Sequence, residues 1–264
     1  MPRLFRLAFP LLSVVPLFAQ TPFIYYRGAV NSASYARPGL PAGSVARGSI
    51  FAVFGRNFGP AQVTQQPVFP LTNTLGGVAV QVTQGNVTKA AVPISTVTGL
   101  VNAIMPSDMP LGKVKVTVTA NGQTSNPAWI NVVDSSFGIF TVASSGLGPG
   151  VVLNFNSFDD YPVNNARHSA QPGQLAILFG TGLGPVAHAD NIAPTQVTLD
   201  AAQTEVFVGG KPAQVVYAGR GSCCSGLDQI YFNIPNDAPQ GCFVPVQVRT
   251  RHAVVSNTST IAIQ

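Results

Sequence analysis

The chain repeats itself once, and that repeat limits the possible folds more than any other feature. Gly48-Ser-Ile-Phe-Ala-Val-Phe-Gly-Arg-Asn-Phe-Gly-Pro60 matches Gly173-Gln-Leu-Ala-Ile-Leu-Phe-Gly-Thr-Gly-Leu-Gly-Pro185, with five of 13 positions identical. Further on, Pro106–Gly112 and Pro235–Gly241 share the pattern Pro-x-Asp-x-Pro-x-Gly, and Ser125-Asn126 then pairs with Ser256-Asn257. The offsets are 125, 129 and 131, so the two copies differ by small loop insertions. Solenoid units span about 20–50 residues, so copies of this length are whole domains in tandem. The spacing places the boundary near 140–150, giving an N-terminal domain over 20–142 and a C-terminal domain over 143–264.

Within each copy the hydrophobic period is two. Segments 50–54, 78–82, 114–119 and 130–133 alternate β-branched with other residues, as do 175–179, 205–208, 214–217, 230–234, 244–248 and 259–263. Such alternation turns one face of a strand to a core and the other to solvent. Asn121-Gly122, Gly209-Gly210 and the Pro-x-Asp-x-Pro-x-Gly corners supply tight turns between them. Composition excludes the alternatives. Only 9% of residues are charged and Glu205 is the single glutamate, which leaves nothing to build exposed helix faces. A disordered chain would be rich in charge and poor in β-branched residues. The expected class is all-β, as two tandem immunoglobulin-like sandwiches.

Arg3 and Arg6 precede an apolar run from Leu7 to Ala19 that ends on a small residue, the layout of a secretory signal peptide over 1–19. The run is shorter than the roughly 20 residues a bilayer span needs, and no later segment is a candidate. The mature chain is therefore expected outside the cell or at its surface, with the periplasm as an alternative and no transmembrane segment. Without Arg3 and Arg6 the formal charge falls from +5 to +3. The remaining cations are scattered along the sequence, whereas nucleic-acid binders gather them in a patch, so no nucleic-acid partner is expected.

Residues 48–59 resemble the opening of immunoglobulin-like plexin/transcription-factor (IPT/TIG) domains. Over 27–264 the chain is similar to the Solibacter-type secreted C-terminal domain family. The resemblance rests on Gly28–Ser34, Leu75–Val78, Phe137–Phe140, Phe179–Gly184, Cys223–Ile230, Gly241–Val246 and Val255–Asn257. It implies export, two immunoglobulin-like units and no established activity. In many relatives this region follows a large catalytic or propeller region, whereas here it follows the leader directly.

Cysteines in an exported chain favour a disulfide. Cys223 and Cys224 fall in the turn before strand 228–234, and Cys242 falls beyond its far end. That strand separates them by about 20 Å, against the ~4.4–6.8 Å between bridged Cα atoms. The reading favours a vicinal Cys223–Cys224 bridge with Cys242 buried, with Cys242 paired to either neighbour as the alternative. The polar stretch 154–165 holds Asn156, Phe158, Asp159, Asp160 and Tyr161, the candidate ligand-binding residues. Their oxygens could hold calcium and their aromatics could stack on a sugar, or the stretch could be a plain turn hairpin. Tyr25, Tyr26 and Tyr35 are expected in interdomain or edge packing, and Trp129 in the core.

Signatures of catalysis are lacking. No Gly-x-Ser-x-Gly elbow and no His-Glu-x-x-His occur, and His168, His188 and His252 have no zinc spacing. Phe179–Gly184 lacks the glycine spacing of a nucleotide loop. The expectation is a secreted, non-enzymatic protein without cofactor or metal, recognising a surface protein or glycan. A carbohydrate-binding module assisting separate polysaccharide-degrading enzymes is the first alternative, and a hydrolase with an unrecognised site the second.

Overall fold

The computed structural model describes residues 20–199, 203–251 and 254–264. The expected leader over 1–19 and His252 lie outside those residues. Every regular element among the described residues is a β-strand. They form two sheets, one from each half of the chain.

In the first sheet the order is Phe23–Asn31, Ile50–Arg56, Leu100–Ile104, Val87–Val97, Val78–Gln84, Gly112–Ala120, Ala128–Val133, Val45–Ala46. All of these neighbours are antiparallel except the last pair, which is parallel. The second sheet runs Gly138–Ile139, Leu175–Thr181, Asp228–Asn233, Lys211–Arg220, Thr204–Val208 and Gly241–Thr250, which Ser259–Ile263 also pairs. Its first strand therefore begins ahead of the 142/143 boundary drawn from the sequence.

Each sheet folds over itself at one long strand. Val87–Val97 pairs with Val78–Gln84 up to Ala91 and with Leu100–Ile104 from Val92, with its irregularity between Pro93 and Ser95. Proline cannot donate to a ladder, so a bulge is where a strand tolerates it. Lys211–Arg220 switches partners in the same way, with its bulge between Val215 and Tyr217. The fold-over closes a separate apolar core in each half, around Phe51, Val80 and Val116 in the first and Leu178, Ile230 and Phe232 in the second. Each such side chain contributes about 1.5–3 kcal/mol when fully buried.

The repeated residues perform the same physical task in both halves. A Cβ on Gly55 would strike the Phe58 ring and the Phe23 carbonyl, and one on Gly180 the Phe137 ring and the Gly138 carbonyl. The covering ring comes from after the glycine in one copy and from before it in the other. Asn121-Gly122 and Gly209-Gly210 all have positive φ (51°, 76°, 58° and 80°) and close two-residue hairpins. In both Pro-x-Asp-x-Pro-x-Gly corners a backbone N–H donates to the first proline's carbonyl at 3.1 Å, from Met109 to Pro106 and from Ala238 to Pro235.

The Ser-Asn pair is a clasp between strands. Asn126 Oδ1 accepts from Ile24 N at 2.8 Å while its Nδ2 donates to Ile24 O at 3.0 Å. Asn257 holds Ile139 with the same two distances. The Ser125 and Ser256 hydroxyls each accept from a strand N–H (Val118, Val248) at 3.0 Å and donate to the following asparagine carbonyl at 2.8 Å. Asn126→Ala and Asn257→Ala are each expected to cost about 1–2 kcal/mol, because the first removes one partner of two hydrogen bonds and the second one partner of three, the third running from Asn257 Nδ2 to Gly146 O at 2.9 Å. Urea unfolding of both variants checks this, and an unchanged midpoint in either would remove the clasp from the fold's supports.

The two halves are joined by buried polar groups. Arg220 is 1% exposed and Asp228 is 0% exposed. Arg220 Nε donates to Asp228 Oδ1 at 2.7 Å, and Nη2 reaches the carbonyls of Gly48 in the first half (3.0 Å) and Gly184 in the second (3.2 Å). Asp228 Oδ2 accepts from Gly182 N and Leu183 N, both at 2.8 Å. Thr181 Oγ1 donates to Gly226 O at 2.6 Å and accepts from Ile50 N at 2.8 Å. Asp190 takes Ser107 N and Ser107 Oγ at 2.8 and 2.6 Å. Gly48, with φ of +70°, leaves no room for a side chain here, since a Cβ would meet Ser107 Oγ at 2.8 Å.

Candidate functional site

The residues predicted from sequence to bind a ligand do come together, in one hairpin. Asn156 N and Ser157 N both donate to Asp160 O at 3.0 Å, and Asn156 Nδ2 donates to Asp160 Oδ2 at 2.7 Å. Gln174 Nε2 donates to Asn156 Oδ1 at 2.6 Å. Asn156 and Asp160 are thus engaged in building the turn. Phe158 is 89% exposed, with its ring edge-on to Phe155 at 5.5 Å, and Tyr161 and Asp159 are exposed beside it. The hollows described below are lined by other residues.

A groove forms instead at the far side of the first half, on the open face of Ala128–Val133. Ala128, Ile130 and Val132 are buried, so the alternation turns Trp129 and Asn131 outward. Trp129 is 52% exposed, which corrects its expected place in the core. The period-two pattern held this signal, because Ile130 and Val132 already claimed the inward face. The opposing wall is the start of Phe23–Asn31. Its register with Ile50–Arg56 breaks between Ile24 and Ala29, and Arg27 there has a φ of 54°. That bulge throws Tyr25 and Tyr26 to the outside, with Tyr26 87% exposed. Of the interdomain or edge packing expected for Tyr25 and Tyr26, the edge position holds, since both stand on the sheet's terminal strand with their rings outward. Nothing in their sequence neighbourhood announces the bulge.

Trp129 separates two adjoining hollows of about 590 and 550 Å³. The larger is lined by Phe23, Tyr25, Tyr26, Lys113, Asn126 and Trp129 among others, and the smaller by the turn 38–44 with Trp129 and Asn131. The Asn126 clasp fixes the wall, since it ties Ile24 to the strand that carries Trp129. Cations stand over the rings: Lys113 Nζ is 5.0 Å from the Trp129 centroid, Arg27 5.3 Å from Tyr26 and Arg56 5.1 Å from Phe23. At the equivalent position of the second half the residues differ. There Thr260 stands where the first half has Trp129, and Pro245 lies across from it in place of Lys115.

A third hollow of about 560 Å³ lies between the halves, with Lys89, Ser107, Asp108, His188 and Asp190 in its lining. Its carboxylates are committed, Asp108 to Lys89 at 2.6 Å and Asp190 to Ser107.

All three cysteines are exposed and unbridged. Cys223 and Cys224 sulfurs lie 2.6 Å apart in the turn between Lys211–Arg220 and Asp228–Asn233. Cys242 lies on Gly241–Thr250 at the other end of the unit and is exposed, correcting its expected burial, because the bulge after Gly241 carries it off the core face. The Cys223 thiol is pushed up to about 12 by loss of solvent around its sulfur and by the adjacent Cys224 sulfur. Thiolate is the nucleophile, so Cys223 should alkylate with iodoacetamide at pH 8 about tenfold or more below an ordinary thiol. Peptide mass spectrometry over time reads this, and rapid labelling of Cys223 at pH 8 would contradict it.

No family model matches the chain, and no curated protein matches it. Among solved structures it is similar to SGBP-B of the Bacteroides ovatus mixed-linkage glucan utilization locus, in complex with a mixed-linkage heptasaccharide. That match has 12% identity and a TM-score of 0.34, over 84% of this chain and 42% of that one. It is also similar to domains 5-6 of the S-layer protein SbsC (15% identity, TM-score 0.25, 92% and 98% of the two chains). A third match is the Yersinia pseudotuberculosis adhesin InvE (16%, 0.22, 83% and 56%). The chain spans less than half the length of the first of these. Among the described residues no helix is long and apolar enough to cross a membrane.

Proposed function

We propose that the protein is an exported, non-catalytic recognition module of the Solibacter-type family, with two immunoglobulin-like units, whose first unit binds glycan chains in the Trp129 groove. The observation that carries this reading is the cluster of outward-facing aromatics, Phe23, Tyr25, Tyr26 and Trp129, around one open groove. One face of a pyranose ring is a sheet of C–H groups, and these pack on the negative face of an aromatic ring. Asn131 stands beside the rings as a polar partner for hydroxyls, while the Asn126 amide is held by its clasp on Ile24. The titratable side chains of the groove lining are Lys113, Arg27, Tyr25 and Tyr26.

Retention of residues 20–264 on insoluble polysaccharides and on a glycan array tests the reading. Saturable retention is expected, and it should survive Tyr161→Ala, which lies on the other hairpin. Loss of retention in Tyr161→Ala with Trp129→Ala unaffected would move the site to 154–165. Absence of retention on every glycan would leave the groove to a protein partner.

A further inference from the structure

We infer that the groove selects acidic polysaccharides, whose sugars carry ring carboxylates; this rests on the glycan reading above. The argument is one of charge placement. Five ion pairs occur among the described residues: Arg47–Asp134, Lys89–Asp108, Lys211–Asp237, Arg220–Asp228 and Arg249–Glu205. None involves the cations at the groove. Lys113, Arg27 and Arg56 face aromatic rings, and Lys115 is the direct cross-strand neighbour of Trp129. Arg37 stands one residue ahead of Pro38, which lines both hollows. Of the twelve cations that looked scattered along the sequence, Lys113 and Arg27 line this aromatic surface and Arg56 and Lys115 stand beside it, with no carboxylate in its lining.

That combination is more than a neutral sugar needs. Ring stacking and hydroxyl contacts require aromatics and amides, which are present. Cations without carboxylate partners raise the local positive potential and attract anions. An ammonium 5.0 Å from the indole centroid is within reach of a carboxylate on a sugar ring packed beside that indole. The ligand that uses both features is a polymer with a stackable ring and a carboxylate on each residue, that is, a polyuronate.

The test compares polygalacturonate and alginate with their carboxyl-reduced, neutral forms by titration calorimetry at about 0.15 M salt. The carboxylated polymers should bind about tenfold or more tightly than the reduced ones. Lys113→Gln combined with Arg27→Gln should lose a similar factor, while Lys211→Gln, in a remote exposed ion pair, should lose none. Equal binding of the reduced polymers would overturn the acidic preference and leave the glycan reading standing. Binding of neither form, together with empty glycan arrays, would overturn both. Equally tight binding of single-stranded DNA or polyglutamate, insensitive to Trp129→Ala, would mean a generic polyanion surface and also overturn the inference.

Discussion

Arg220→Ala is expected to remove about 3–5 kcal/mol of stability at neutral pH, because it leaves the Asp228 carboxylate buried without its charge partner. It also strips two donors from the joint, those reaching the Gly48 and Gly184 carbonyls. Against the roughly 5–15 kcal/mol of a whole domain, such a loss leaves the variant close to unfolding. Asp228→Ala should cost as much, since it orphans Arg220 Nε and the N–H groups of Gly182 and Leu183 together. Urea midpoints measure both, and a loss below about 1 kcal/mol in either would mean that water or rearrangement satisfies the site.

The pH dependence of the variant carries a second signature. Burial pushes the Asp228 carboxyl up, and the Arg220 guanidinium and the N–H groups of Leu183 and Gly182 hold it down. A raised native value means that the folded state keeps the proton to higher pH than the unfolded chain. Its contribution is then full below the unfolded carboxylate value and is lost as pH rises through the native one. Arg220→Ala removes the strongest opposing influence, so the window widens upward and the variant's deficit should shrink on acidification. A deficit independent of pH would assign the loss to the missing hydrogen bonds and packing alone.

Trp129→Ala is expected to weaken glycan binding about thirtyfold, the effect of losing roughly 2 kcal/mol at a central aromatic anchor. Its effect on folding should be far smaller, because half of the side chain is already in water and its neighbours Ala128 and Ile130 carry the core contacts. Isothermal titration and urea unfolding on the same preparation separate the two. Tyr26→Ala should weaken binding less, since Tyr26 sits at the rim and is almost fully exposed. A Trp129→Ala variant that binds like the wild type would remove the groove as the site. One that unfolds would instead mean that the indole supports the sandwich.

The strand positions were legible because alternation and turn chemistry are local. Segments 78–82, 175–179 and 259–263 lie within the observed strands Val78–Gln84, Leu175–Thr181 and Ser259–Ile263. Val87–Val97 was missed because Pro93 and the switch of partners interrupt its period, and the short Gly138–Ile139 offers no period at all. Asn126 and Asn257 stood out in the repeat, but their function as clasps needed the partner strand more than a hundred positions away. Of the candidate site, the hairpin 154–165 stood out by its polar content, of which Asn156 and Asp160 bond to each other within the turn.

What the sequence determined alone was the class of fold and its doubling, since period, glycine and proline placement and repeated motifs act over a few residues. Long-range juxtaposition decided the rest. Arg220 and Asp228 meet because they are registered across a hairpin whose end is pressed into the other half, where both are buried. Tyr26, Arg27, Lys113 and Trp129 share a groove because a bulge and a clasp bring the first strand beside the last. The burial of Arg220 and the charge environment of the groove are properties of that packing, unlike the outward turn of Trp129, which the alternation of its own strand encodes.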